Sequence, residues 1–289
     1  MNPLDLLQSC LLEILHRIDG SGIILTVGGG YGLILKGRQV MVEGSATLLT
    51  QPPQLRSTND LDLFLQMELL ASPDKARLFA GVLDRLGFAP VQTAKYYQFW
   101  RSFDADAGQR VVKIDLLAGP PHDPSGLRLE DNRRIKPRDK TIALHAHRTE
   151  EAVAVEDEAI RVSVRGRLLD GVEAQGFVDL PNAFSYLLMK VHAFHDREAR
   201  GDTENAGKHA ADLYQILALT TEPEWETAKR LRTQHSRNPT VERVGEIVQE
   251  RFTAPNQLGI IRLREYSPFF RQVNSVEFSS ILTELFPKV

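Results

Sequence analysis

Asp60 and Asp62 stand one residue apart at the start of an apolar run, in the segment Arg56-Ser-Thr58-Asn-Asp60-Leu-Asp62-Leu-Phe-Leu. In a strand, residues two apart project from one face. The two carboxylates would therefore point together while Leu61 and Leu63 point into a core. Carboxylates held this close repel each other unless a cation lies between them. Hard oxygen ligands suit Mg²⁺ (or Mn²⁺ in its place), which keeps several waters and takes phosphate oxygens as further ligands. Such a pair can serve two metals about 3.5–4 Å apart, one activating an attacking hydroxyl and the other steadying a departing phosphate group. A third acid is expected from a neighbouring strand, and Asp115 is the best candidate. Val111, Lys113 and Asp115 share one face of their run, with Val112, Ile114 and Leu116 on the other. Taken alone, Asp60-Leu-Asp62 also fits an edge strand alternating exposed acid with buried leucine. Aspartate is a poor strand former, so its double appearance, with Asp115 and a glycine turn upstream, favours metal binding.

That glycine turn is Gly28-Gly29-Gly30-Tyr31-Gly32, reached directly from the apolar run Ile23–Val27. Glycines allow positive φ and close approach of backbone N–H groups to an anion. A helix opening after them, from Leu33 to Lys36, would add its positive end. A triphosphate is the natural guest, although a tight strand–helix junction with nothing bound has the same composition. Two other glycine motifs fail on spacing. The dinucleotide fingerprint finds Leu33 in place of its third glycine, and the P-loop spacing from Gly32 to Gly37 ends in Arg38-Gln39 instead of Lys-Ser/Thr.

Other chemistries find less support. Cys10 is the single cysteine, so neither an intrachain disulfide nor a thiolate zinc cluster can form. His192 and His195 are three apart and lack the glutamate and spacing of a zinc protease helix. The net charge of −3 excludes a generally basic surface, so a polynucleotide would have to meet a local patch. Arg128, Arg133, Arg134, Lys136, Arg138 and Lys140 form one such surplus, and Lys229–Arg237 a second. The N-terminus lacks the positive region of a signal peptide. No apolar run reaches the roughly 20 residues that cross a bilayer. The expected setting is the cytoplasm, with no membrane partner.

The elements that must position these residues follow from periodicity. Residues 3–18 carry Leu4, Leu7, Leu11, Leu12, Leu15 and Ile18 at helical spacing, closed by Gly20 and Gly22. Residues 23–27 and 61–65 read as strands and 73–86 as a helix. Residues 47–57 read as loop. Residues 96–103 and 110–117 read as a hairpin, 120–140 as a long connection, and 160–164 and 176–180 as further strands. Beyond Pro181 the pattern becomes helical: 182–199, 206–219 capped by Asn205, 223–234 opened by Pro223, 240–252, and a last helix from about Ser275. The expected organisation is an α/β domain over residues 1–180 and a helical domain over 181–289.

A glycine pair after a strand, followed by Arg-x-Thr-x-Asp-x-Asp, resembles the AbiEii/AbiGii-type nucleotidyltransferases of the polymerase-β-like superfamily. The matching residues are Gly29-Gly30-Tyr-Gly-Leu33 and Arg56-Ser-Thr58-Asn-Asp60-Leu-Asp62. The family's helical motif is matched by Lys190 to Arg197 and by Lys208-His209-Ala-Ala-Asp212. The resemblance spans residues 23 to about 220. It departs in the long segment Lys36–Leu55, in His209 where the family usually has Asp, and in the added stretch Thr203–Gly207. It implies a polymerase-β-like nucleotidyltransferase domain with a mixed sheet, followed by helices. It implies transfer of a nucleoside monophosphate from an NTP to an acceptor hydroxyl, with pyrophosphate released. Asp60, Asp62 and Asp115 would hold the metal, while Gly29 and Gly30 cradle phosphate and Arg56 and Thr58 shape the site. Lys190, Arg197 and Lys208 would meet the triphosphate, and Asp212 would orient a lysine or accept a proton. Alternatively Lys190 is a solvated helix residue, and Lys208 and Asp212 form an ordinary i,i+4 surface pair. Many family members are toxins with a cognate antitoxin, which implies an RNA acceptor such as the 3′ end of tRNA. A small-molecule or protein acceptor, or a catalytically silent nucleotide-binding module, fits the same residues.

Overall fold

The computed structural model describes residues 2–51, 58–105, 108–131 and 133–288. Its architecture is mixed α/β, with a mixed sheet followed by a helical C-terminal region. Two compact units are formed, one by residues 1–36, 56–149 and 159–181, the other by 37–55, 150–158 and 182–289.

The first unit opens with α1 (Pro3–Ile18), whose cap Asn2 accepts from the Asp5 amide and whose Leu6, Leu7, Leu11, Leu12 and Leu15 are buried. Then follow β1 (Leu25–Val27), α2 (Gly29–Glu43), β2 (Asp60–Leu65), α3 (Met67–Ala71) and α4 (Pro73–Arg85). Helix α2 starts inside the glycine run instead of after it and continues past Lys36 to Glu43, so the first part of the long segment Lys36–Leu55 is helix. Ser72 caps α4 by accepting from the Lys75 amide. The remaining strands are β3 (Ala89–Pro90), β4 (Gln98–Ala105), β5 (Gly108–Ala118), β6 (Leu127–Glu130), β7 (Arg134–Pro137), β8 (Ala146–Arg148), β9 (Ile160–Arg167) and β10 (Glu173–Leu180).

The sheet runs β6-β7-β8-β5-β2-β1-β10-β9, with β4 pairing both β5 and β3. β2 and β5 are parallel, as are β1 and β10, while β1–β2, β4–β5 and β9–β10 are antiparallel. The expected hairpin is present as β4–β5. The expected connection over 120–140 is corrected: it contains the β6–β7 hairpin, turned by Arg133 at φ 59°. Its charged composition hides the strands because only Ile135 and Pro137 are buried there. Strands β9 and β10 extend well beyond the short runs expected, to eight residues each. Gly176 serves packing here, since a Cβ would lie 2.9 Å from Leu15 Cδ1 of α1.

The second unit contains α5 (Ala183–Ala199), α6 (Thr203–Leu219), α7 (Glu222–Gln234), α8 (Pro239–Arg251), α9 (Leu258–Tyr266) and α10 (Ser275–Leu285). Aromatic contacts tie them together, with ring centroids 4.8 Å apart for Phe194–Phe252 and 5.5 Å for Tyr214–Phe270. The expected cap Asn205 is corrected to Asp202, whose side chain accepts from the Asn205 amide, because the helix begins one turn earlier. Pro223 follows Glu222 instead of opening α7. Helix α9 went unread in the sequence. Its charged Arg262, Arg264 and Glu265 mask the buried stripe of Ile260 and Leu263. No helix among the described residues is long and apolar enough to cross a membrane.

Candidate active site

Strand pairing brings the three aspartates together. Asp62 is the cross-strand partner of Asp115, and Asp115 is in turn the partner of Gln98 on β4. Asp60 stands opposite Lys113, one step along the same face. Burial alternates as the sequence predicts: Leu61 and Leu63 are fully covered, as are Ile114 and Leu116, while Asp60, Asp62 and Asp115 are half-buried. Thr58 anchors the start of β2, its hydroxyl accepting from the Asp60 amide at 3.3 Å. Arg56 lies outside the described residues.

The glycine turn meets Asp62 directly. The Gly28 amide donates to the Asp62 carbonyl at 2.8 Å, and the Gly32 amide donates to the Gly28 carbonyl at 2.9 Å, opening α2. Gly29 has φ +59°, and a Cβ there would lie 1.6 Å from Asp62 Oδ2. No side chain fits in that space. The start of α2, at Gly29, thus sits against the Asp62 carboxylate, where the positive end of the helix favours an anion.

Burial pushes the Asp115 carboxyl up to about 6, with the charges of Asp62 and Asp60 adding to the rise. The Gln98 side chain, bonded to this carboxylate, and the nearby Lys113 ammonium oppose the shift. Gln98 was not singled out in the sequence; only the hairpin register identifies it as the neighbour of Asp115. Asp60 Oδ1 is buried and accepts no hydrogen bond among the described residues. Among those residues no three His, Cys, Asp or Glu side chains converge at chelating distance. Like charges near each other raise one another's proton affinity. An orphaned carboxylate oxygen, a crowded set of hard donors and an adjacent helix N-terminus fit a divalent cation with phosphate ligands. Asp60, Asp62 and Asp115 are the residues that could hold it.

The helical unit gathers two of the expected residues. Lys190 Nζ bonds Asp212 Oδ2 at 2.7 Å, with Lys190 only 8% exposed and Asp212 fully buried. His209 Nδ1 is 4.0 Å from the same oxygen. Lys190 is therefore a buried, paired cation and not a solvated one. Lys208 does not join this pair: it bonds Asn205 Oδ1 at 3.1 Å and Glu204 Oε1 at 2.9 Å. Arg197 is held separately by Asp202 at 3.3 Å.

Other candidate groups have structural partners. His192 Nε2 contacts the Thr240 carbonyl, and His195 Nε2 contacts Arg243, so the two do not form a metal pair. Burial pushes the Cys10 thiol up to about 12, which removes it as a nucleophile. In the basic hairpin, Lys136 pairs with Glu130, Arg134 lies over the Tyr97 ring and Arg128 donates to the Pro137 carbonyl. In the second basic stretch, Lys229 pairs with Glu226 and Arg230 with Glu158.

No family model matches the sequence, and no curated protein does. Among solved structures, a match is the solution structure of the antibiotic-resistance factor ANT(2'')-Ia, an aminoglycoside nucleotidyltransferase. It is 13% identical, with 81% of this chain and 95% of that chain covered and a TM-score of 0.33. A superposition this loose carries no argument about activity.

Proposed function

We propose that the chain is a metal-dependent nucleotidyltransferase, moving a nucleoside monophosphate from an NTP to an acceptor hydroxyl with release of pyrophosphate. One observation carries the reading: Asp60, Asp62 and Asp115 share one sheet face, with Asp62 lying against Gly29 at the start of α2. Asp60, Asp62 and Asp115 would hold Mg²⁺, or Mn²⁺, as their hard oxygen donors fit it. When bound, the ion would neutralise triphosphate charge and polarise the phosphoryl oxygens as a Lewis acid.

The chain's own groups supply the rest. The first turn of α2, with Gly29 and Gly30, offers backbone N–H groups and a positive helix end to the phosphates. Asp115, at the same site, is assigned to take the proton of the acceptor hydroxyl. The acceptor oxygen bonds to the α-phosphorus, the bond from that phosphorus to the bridging oxygen breaks, and pyrophosphate departs with the bonding electron pair. Lys190, Arg197 and Lys208 are assigned to the triphosphate on the family resemblance alone. The buried bond from Asp212 to Lys190 gives Asp212 the role of holding that lysine. Arg56 and Thr58 are assigned to shaping the site on the same resemblance.

The resemblance extends the reading to an RNA acceptor, such as the 3′ end of tRNA, and to a toxin with a cognate antitoxin. Arg133, Arg138 and Lys140 are exposed and make no ion pair among the described residues, which suits phosphate contacts. The deciding experiment incubates the protein with each labelled NTP, Mg²⁺ and total tRNA, beside Asp60→Ala. Label in RNA only with the intact protein supports the reading. Nucleotide bound without pyrophosphate release, equally in Asp115→Asn, would establish a silent nucleotide-binding module instead.

A further inference from the structure

On the face of β4 that carries Phe99, α4, β3, β4 and residues 141–143 line a cleft of about 370 Å³. That volume lies within the range of small-molecule sites, roughly 300–1,000 Å³. Phe88, Tyr96 and Phe99 bring aromatic rings to it, and Ala80, Gly81 and Ala143 leave room beside them. The three rings offer faces on which a flat ligand can stack. Arg77 and Asp84 line it as well, and the exposed Arg77 is already paired with Asp139.

Two features of the cleft are not required by the fold. Gly81 sits in the interior of α4 with no positive φ, where alanine would be the better helix former. A Cβ there would meet only the flexible guanidinium end of Arg85, at 3.1 Å. Neither backbone nor close packing demands glycine, and its effect is to leave the cleft open. Tyr96 has φ 73°, a region that bulky side chains rarely occupy. The His145 amide donates to the Tyr96 carbonyl, and the His145 ring meets the Tyr96 ring edge-on at 5.2 Å, so that conformation is held in place. Strain retained beside a preformed apolar cleft is a mark of binding sites.

The cleft also has a connection to the carboxylates. Phe99 lines it, and the preceding residue in β4, Gln98, projects from the other face and bonds the Asp115 side chain.

We propose that this cleft binds a flat aromatic small molecule, of indole or single-nucleobase size, and that its occupation is felt at Gln98. The consequence for activity rests on Asp115 being a metal ligand; the binding itself does not. The test uses the full chain, ¹⁵N-labelled, titrated with indole in the absence of metal and nucleotide. Saturable shifts are expected at the Gly81 and Ala143 backbone amides and at the Gln98 side-chain amide. Gly81→Leu fills the cleft from the helix and lowers indole affinity at least tenfold without lowering the melting temperature. Ala143→Leu, from another element, gives the same loss should the helix variant fold poorly. Unsaturable shifts, or binding that survives both substitutions, overturn the site. Saturable binding that leaves the Gln98 amide unmoved overturns the connection to Asp115. Because no metal or nucleotide is present, these outcomes are independent of whether nucleotidyl transfer is found.

Discussion

At Asp115, packing and charge oppose each other, and the conflict can be measured. Its carboxyl is raised to about 6 by burial first and then by Asp62 and Asp60, against about 3.9 in an unfolded chain. The folded form therefore binds the proton more tightly, and stability falls as pH rises from about 4 through 6. Above that window the ionised group costs on the order of 1–3 kcal/mol. Asp115→Asn should accordingly be more stable than the parent in urea melts at pH 8 without divalent ions, with the difference gone near pH 4. Nucleotidyl transfer should drop at least 100-fold in the same variant, and Mg²⁺ should raise the melting temperature of the parent alone. Equal stability of the two proteins at pH 8 would contradict the crowding of charge at this position. Gly29 gives a second residue-scale expectation. Gly29→Ala places a Cβ on Asp62 Oδ2 and also incurs the left-handed penalty, about 1–2 kcal/mol. Gly44 has φ +63° with nothing within 4 Å of an added Cβ, so Gly44→Ala carries the backbone penalty without the collision. Calorimetric titration with Mg²⁺ and NTP should show binding lost in the first variant and retained in the second.

Between elements, the Lys190–Asp212 bond joins α5 to α6 where neither group reaches much solvent. Removing only the cation leaves a carboxylate buried, with His209 Nδ1 at 4.0 Å. Lys190→Met should therefore cost about 3–5 kcal/mol in chemical denaturation, while Lys190→Met with Asp212→Leu recovers most of it. Additive losses in the double variant would count against a coupled pair. The family resemblance gives Asp212 a lysine to orient, and the 22 residues between it and Lys190 show why helical spacing alone does not say which lysine. Helix periodicity places each residue on its own helix but says nothing about which faces meet. Legible features were those with a short period: Asp60 and Asp62 at two-residue spacing, the alternation around Asp115, and the leucine stripe of α1. The β6–β7 hairpin and α9 escaped because charged side chains outnumber their few buried positions. The start of α2 within the glycines escaped because glycine disfavours helices in general, whereas the Gly28 carbonyl and Gly32 amide close its first turn here.

Across the whole molecule the chain is not divided at one point. Residues 1–36, 56–149 and 159–181 build one unit and 37–55, 150–158 and 182–289 the other, so the chain passes between units at five places. The short segment 150–158 shows what this means energetically. Val153 and Val155 are buried within the helical unit, worth about 1.5–3 kcal/mol each. Its backbone is also claimed there: Ser185 Oγ donates to the Val153 carbonyl at 2.6 Å, and Asn182 Nδ2 donates to the Ala154 and Asp157 carbonyls at 2.8 Å. Residues 37–55 are tied in the same way, the Leu48 amide donating to the Thr220 carbonyl at 2.9 Å and the Tyr214 hydroxyl to the Gln51 carbonyl at 3.2 Å. A cut after Pro181 therefore strands two segments from their partners on one fragment and leaves the other without them. Fragment 1–181 should expose Val153 and Val155, bind a hydrophobic dye and melt without a sharp transition, while the full chain melts cooperatively. Fragment 182–289 should gain order when a synthetic peptide of residues 148–160 is added, read as increased helical circular dichroism. A cooperative melt for fragment 1–181, with no dye binding, would show that these excursions contribute little and that a boundary at residue 180 suffices.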